Sequence, residues 1–322
     1  MGVDAVAAKR GSVRGTGFGL VAMAAALWGS DALFRRGLAL DLPSSTVVFY
    51  EHLILVAVTA PLLRKAFRTT RGYDAKDWTA LVLVGAGASA IATLLFTAAF
   101  RYGDPTTPLL LQKLQPLVAV AGAALLLGER LRPRYGIWAV VAISGAYLIH
   151  IADPTSPSIA AAVPALLAVG AAALWGMGTV LGRHLTKKTD FRSLTALRFA
   201  FGLPASAAAV GIDEGGAGFT VVGGGDLLPL VLLALVPGLA ALLLYYRGLT
   251  RTPAALATLA ELAFPVAAIS INYVAFDAVL TGTQWVGLGI LTGAITLMTL
   301  LAPRGEETLG VRLTGRPALE AS

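Results

Sequence analysis

Five charged side chains fall inside long apolar runs: Asp31, Glu51, Lys113, Arg198 and Glu261. An ionised group in hydrocarbon is costly and persists where it finds a partner or lines a polar path. At a rise of 1.5 Å per residue, Glu51 and Lys113 each lie about 10 Å in from one end of their segments. Arg198 and Glu261 lie toward the opposite end. Matched depth predicts two opposite-charge pairs, Glu51 with Lys113 and Arg198 with Glu261. Such pairs either bind substrate and gate a central path, or only neutralise one another and fix helix packing. Asp31 stands four residues before Arg35 and shares its helical face. That spacing fits an intrahelical pair near the headgroups, or a site for a coupling proton or cation.

Neutral groups extend the candidate site. Gln112 and Gln115 are three apart on one helical face, which must turn inward because lipid offers an amide no partner. Trp28 and Trp175 sit near the middle of their segments, whereas tryptophan favours membrane interfaces. They either border a polar cavity or pack against Gly29 and Gly176. Tyr245 and Tyr246 read as interface anchors first and cavity residues second. Pro116 and Pro265 each kink a helix and free a carbonyl one turn earlier, available to a substrate or spent on a bend. Gly289 and Gly293 suit close helix packing.

Other chemistries find little support. The stretch Gly85-Ala86-Gly87-Ala88-Ser89-Ala90 spells like a nucleotide loop but lies inside an apolar run with no strand–helix context. His52, His150 and His184 are too scattered for a metal site, and the chain has no cysteine. No Walker motif or catalytic cluster stands out. The expectation is a non-enzyme with no cofactor and no metal.

The elements that hold these residues follow from composition. The 322 residues are 57 % apolar and only 13 % charged, against about 25 % charged in ordinary soluble domains. The net charge of +7 is not gathered on one face, so nucleic acid is not a predicted partner; the lipid bilayer is. Ten apolar segments are long enough to span: about 17–34, 44–63, 78–100, 106–127 and 135–151, then 159–181, 194–212, 227–246, 253–276 and 283–302. Lys and Arg crowd alternate ends, at Lys9–Arg14, Arg64–Lys76, Arg130–Arg134 and Arg183–Arg192, while Arg35, Arg36 and Arg101 stand at the others. By the positive-inside rule both termini are cytoplasmic. The fold expected is an all-α integral membrane protein.

The chain also repeats itself. Leu27-Trp28-Gly29 recurs as Leu174-Trp175-Gly176 after 147 residues, and Pro116 matches Pro265 after 149. Arg101 and Arg247 close the third and eighth segments, and Gly145 is paired with Gly293. Glu51 corresponds to Arg198 and Gln112 to Glu261. An odd unit of five helices must re-enter from the opposite side, giving two inverted repeats. The units are 1–152 and 153–303, with a cytoplasmic tail at 304–322.

Ala26-Leu27-Trp28-Gly29-Ser30, Leu114-Gln115-Pro116-Leu117 leading into Leu127-Gly128-Glu129-Arg130-Leu131, and Tyr245-Tyr246-Arg247-Gly248-Leu249 carry a family likeness. Over roughly residues 15–303 the chain resembles an EamA-type member of the drug/metabolite transporter superfamily. In the second copy Phe276-Asp277-Ala278 stands where the first has Gly-Glu-Arg. The resemblance implies ten helices, a cavity between the halves, and secondary transport of small organic metabolites, often outward.

The function expected is a secondary transporter, an exporter or exchanger working by alternating access in the bacterial cytoplasmic membrane. A solute or ion channel is the alternative. Two opposite-charge pairs would leave the site near neutral, which suits zwitterions such as amino acids. With Asp31 in the cavity, a cation or a proton joins the small-molecule substrate as a candidate ligand. A second copy of the chain is a further candidate partner.

Overall fold

The computed structural model describes residues 17–102, 105–127, 134–150, 159–213, 220–249 and 260–300. The Gly128-Glu129-Arg130 motif, the Gly215-Gly216 loop, the start of the ninth segment and both tails lie outside these. The described residues are helical and contain no strand. In chain order, α1 runs over Gly17–Asp41, with a turn at Ser30, and α2 over Ser44–Thr69. Helix α3 covers Ala75–Ala99. Helix α4 comprises Thr106–Leu111, a 3₁₀ turn at Gln112–Leu114, and Gln115–Leu127. Then come α5 (Tyr135–His150), α6 (Ile159–Leu185) and α7 (Phe191–Asp213). Helix α8 joins Gly224–Leu233, Ala234–Ala240 and Ala241–Leu249; α9 is Ala263–Phe276 and α10 is Gly282–Leu300.

Seven of these, α1 to α4 and α6 to α8, are long and apolar enough to cross a membrane. The outward faces of the bundle's helices are apolar: Val140 on α5, Leu166 on α6, and Val266 and Val274 on α9 are all more than 60 % exposed. A water-facing surface would not carry such a coat, whereas lipid is its natural solvent.

Helix packing repeats between the halves. Helix α2 lies along α7, and α5 along α10. Contact of α3 with α6 is matched by α8 with α1, α4 with α6 by α9 with α1, and α3 with α7 by α8 with α2. Atomic detail repeats as well. A Cβ on Gly29 would meet Phe264 O at 2.8 Å, Ala267 Cβ at 2.9 Å and Ala268 N at 2.9 Å. One on Gly176 would meet Gln115 O at 2.8 Å, Val118 Cβ at 2.8 Å and Ala119 N at 3.1 Å. These two sets are counterparts residue for residue, so both glycines serve backbone-to-backbone approach.

The last helix pair corrects one correspondence. A Cβ on Gly145 would meet Gly287 O at 2.8 Å and Leu291 N at 2.6 Å, and one on Gly287 would meet Gly145 O at 2.6 Å and Ile149 N at 2.8 Å. Gly145 therefore answers Gly287, not Gly293. Gly289 and Gly293 have nothing within 4 Å of a would-be Cβ, so they are not the packing glycines. The spacing between copies thus drops from 149 residues at Pro116 and Pro265 to 142 at Gly145 and Gly287, so the second copy is seven residues shorter between these points.

Both copies loosen at the same places. In α3 and α8 the backbone widens to i→i+5 bonds over Leu83–Ile91 and Ala234–Ala240. Gly85-Ala86-Gly87 lies within the first of these wide turns, inside a helix and away from any phosphate-binding context. At the prolines, the carbonyl four residues back is not left free: Gln115 N–H donates to Gln112 O, and Phe264 N–H donates to Glu261 O at 3.0 Å. The expected free carbonyls are thus absent, because a tightened turn retrieves each one.

At one end the loops of the two halves are stitched together. The buried Asp77 carboxylate accepts from His184 Nε2 at 2.8 Å and from Lys188 Nζ at 2.5 Å, while its backbone N–H closes a capping box with Asp74. Lys65 pairs with Asp190 at 3.2 Å, and Tyr73 meets Thr189 at 2.5 Å. Its hydrogen bond to Asp77 raises the Lys188 pKa. Against partial burial, hydrogen bonds from Ser193 and Lys65 hold the Asp190 carboxyl below its ordinary range.

Candidate functional site

The two mid-segment tryptophans converge on one apolar cluster. Trp28 and Trp175 both pack against the buried cluster that contains Ala25, Phe96, Leu109, Phe264 and Ala268. Trp28 packs on Tyr245 with ring centroids 4.9 Å apart, and Trp175 meets Phe96 edge-on at 5.0 Å. Both separations lie in the attractive range for aromatic pairs. Residue counting alone brought Trp28 and Trp175 to one depth; the rings they touch come from α3 and α8, which no local pattern links.

Polar groups rim the same region. The Lys113 ammonium sits 4.2 Å from the centre of the Phe264 ring, a cation–π contact strengthened by exclusion of water. Glu261 accepts from the Tyr245 hydroxyl at 2.6 Å. Gln115 donates to Thr179 Oγ1 at 3.3 Å, and Thr179 donates to Trp175 O at 3.0 Å. Gln112 is half-buried in the 3₁₀ turn. Pro116 and Pro265 follow these polar residues in their helices, and Pro265 also borders a groove of about 300 Å³ between α9 and α10, with Trp285 and Thr292.

Lys113, Arg198, Tyr245 and Tyr246 are each deeply enclosed by protein. None of the four is among the fully buried residues. Each is thus crowded by protein and yet keeps some accessible surface.

The predicted ion pairs do not form. Glu51 belongs to a different cluster, in which Arg35 donates to Glu51 Oε2 at 3.1 Å, to Asp31 Oδ1 at 2.6 Å and Oδ2 at 2.9 Å, and to Thr97 Oγ1 at 2.7 Å. Arg35 is 3 % exposed, Glu51 5 % and Asp31 9 %. The Asp31–Arg35 pair is therefore real but sealed, not at the headgroups. The reason is that α1 continues to Asp41, past the apolar run ending near Phe34, and carries Arg35 into the protein. Counting Arg35 as a loop charge hid the partner of Glu51.

Arg198 does not pair with Glu261 either. One of its terminal nitrogens donates to Ala88 O at 2.9 Å, in the wide-turn stretch of α3. Its Nε is buried and has no hydrogen-bond partner. The carboxylate whose field reaches Lys113 is that of Glu261. Tyr246 and His52 each interact electrostatically with Arg198. His52 itself bridges Val48 O at 2.9 Å and Ser89 Oγ at 3.0 Å, with Gly202 leaving room for its ring. Among the described residues no three His, Cys, Asp or Glu are grouped to hold a metal ion.

Comparison with known proteins agrees with this architecture. A solved protein crystal structure matches with a TM-score of 0.60 at 22 % identity, over 91 % of this chain and 98 % of that chain; this likeness concerns the fold. The chain is 34 % identical over 279 residues to the riboflavin transporter ImpX of Fusobacterium nucleatum, covering 82 % of this chain and 91 % of the relative. The EamA-like transporter family model matches twice, at residues 15–151 and 163–300. The two matches fall on α1–α5 and on α6–α10, the halves whose contacts mirror one another, and the chain, a multi-pass helical membrane protein, belongs to the EamA-like transporter family.

Proposed function

We propose that the chain is a secondary active transporter that moves a small organic solute with a flat aromatic ring across the bacterial cytoplasmic membrane. It works by alternating access between two inverted five-helix repeats, 1–152 and 153–303, with ten spans and both termini cytoplasmic. The observation that carries the substrate class is the set of partly exposed rings Trp28, Trp175 and Tyr245, backed by the buried Phe96 and Phe264, beside the polar groups Lys113, Gln115 and Glu261. Flat faces of this kind grip a ring system by stacking, while the few polar groups fix its edge. A relative that carries riboflavin makes the flavin type the first solute to test. Simple amino acids were suggested by a charge-neutral site, and the capture of Glu51 by Arg35 removes that argument.

The test is uptake of radiolabelled riboflavin by proteoliposomes containing the purified full chain. Saturable uptake, accelerated by unlabelled riboflavin on the other side, is the expected result. Flux that rises linearly with concentration and shows no counterflow would point to a channel. Replacing Trp28 or Tyr245 by Ala should lower uptake about two- to tenfold if each contributes a stacking contact of the usual size.

A further inference from the structure

Arg198 is the anomaly of the interior. It lies about 10 Å along α7 from the helix start, deep within the protein. Among the described residues its one hydrogen-bond partner is the neutral Ala88 carbonyl, and its Nε is buried and unpaired. A guanidinium cannot escape by releasing its proton, so an unmatched one in a dry interior is a standing cost. Its repeat counterpart, Glu51, has a dedicated counter-ion in Arg35. Among the described residues no such acid faces Arg198: the groups that act on it are the Tyr246 phenol from α8 and the His52 ring from α2.

The charge balance of the internal space points the same way. Among the described residues, with Asp31 and Glu51 both held by Arg35, the space is bordered by Lys113 and Arg198 and by the carboxylate of Glu261. Lys113 has Glu261 in its field and the Phe264 ring beneath it; Arg198 has neither.

We propose that Arg198 is an anion-binding subsite on the internal space, and that the aromatic solute carried by the protein bears an anionic oxygen group, a carboxylate or phosphate, that completes it. The planar fork of a guanidinium matches two oxygens of such a group. Ala88 O holds one end of the fork and leaves the Nε edge for the ligand. Tyr246, tilted against Phe191 with centroids 4.6 Å apart, closes the aromatic side of the subsite. This inference rests on the transporter reading for the identity of the solute, but the anion site itself does not depend on flavin binding.

Two titrations of the purified full chain decide it. The first follows quenching of tryptophan fluorescence by riboflavin and by riboflavin 5′-phosphate, which differ by one anionic group. The phosphate is expected to bind about tenfold or more tightly. In Arg198→Gln that preference should vanish while affinity for neutral riboflavin changes less than about threefold, and Arg198→Lys should keep part of it. Equal binding of the two compounds by the unaltered protein, or an equal loss of both in Arg198→Gln, overturns the proposal. The second measures thermal stabilisation by inorganic phosphate and by benzoate at matched ionic strength, with benzyl alcohol as the neutral control. Stabilisation by the anions that Arg198→Gln loses supports the subsite even if neither flavin binds, an outcome that would refute only the flavin assignment. No stabilisation of the unaltered protein by either anion, together with no phosphate preference, sinks the anion site whatever the fate of the variants.

Discussion

Arg35 serves two carboxylates with one guanidinium, and its neighbours are not interchangeable. Removing Arg35 leaves Asp31 and Glu51 facing one another without water or counter-ion. Removing Asp31 leaves a neutral Arg35–Glu51 pair. Arg35→Gln is therefore expected to cost about 3–5 kcal/mol of stability, and Asp31→Asn only about 1–2 kcal/mol; thermal melts in detergent rank them. A double-mutant cycle separates the observed cluster from the pairing that depth alone suggested. Arg35→Gln with Glu51→Gln should couple by more than about 1 kcal/mol, and Glu51→Gln with Lys113→Met should add within about 0.5 kcal/mol. Coupling in the second cycle would restore the Glu51–Lys113 pair. Depth was legible at this scale because each residue advances 1.5 Å along a helix. Direction was not, since choosing among neighbouring helices needs their packing, and Arg35 sits beyond the end of its apolar run.

Among the helices, the contacts that fix the architecture are backbone approaches at small residues. Gly29 and Gly176 occupy matched crossings, α1 on α9 and α6 on α4, and each would drive a Cβ to 2.8 Å from a carbonyl oxygen of the facing helix. A facing backbone cannot rotate aside as a side chain can. Gly29→Ala and Gly176→Ala should each lose about 1–3 kcal/mol through overpacking. Gly19→Ala and Gly289→Ala meet nothing within 4 Å and should be neutral or gain up to about 1 kcal/mol from helix propensity. Four melts make the comparison, and equal loss at all four positions would mean that the crossings do not matter. The Trp-Gly repeat is what made these crossings legible before any fold was known. The partner of Gly145 was not legible, because the seven residues missing from the second copy shift the register just before the last helix.

At the scale of the whole molecule, alternating access requires that the end where Asp77, His184 and Lys188 join the halves comes apart in each cycle. Thr69, at the close of α2 in the first half, and Thr189, before α7 in the second, bring their hydroxyls to 3.3 Å. Both positions are short side chains outside the apolar segments, and the chain has no cysteine of its own. Thr69→Cys with Thr189→Cys therefore places two thiols where a disulfide of ordinary geometry can close with little backbone movement. The oxidised double variant should run as a cross-linked species on partial proteolysis between the halves and should lose riboflavin counterflow almost entirely. Reduction should restore it, and each single variant should transport normally with or without oxidant. Binding is a separate property: fluorescence titration of the cross-linked protein should still detect the flavin if the site stays reachable from the other side. Full counterflow with the bridge intact would show that this end never opens, and the rocking of one repeat against the other would have to be abandoned for a path that leaves the Asp77 junction closed.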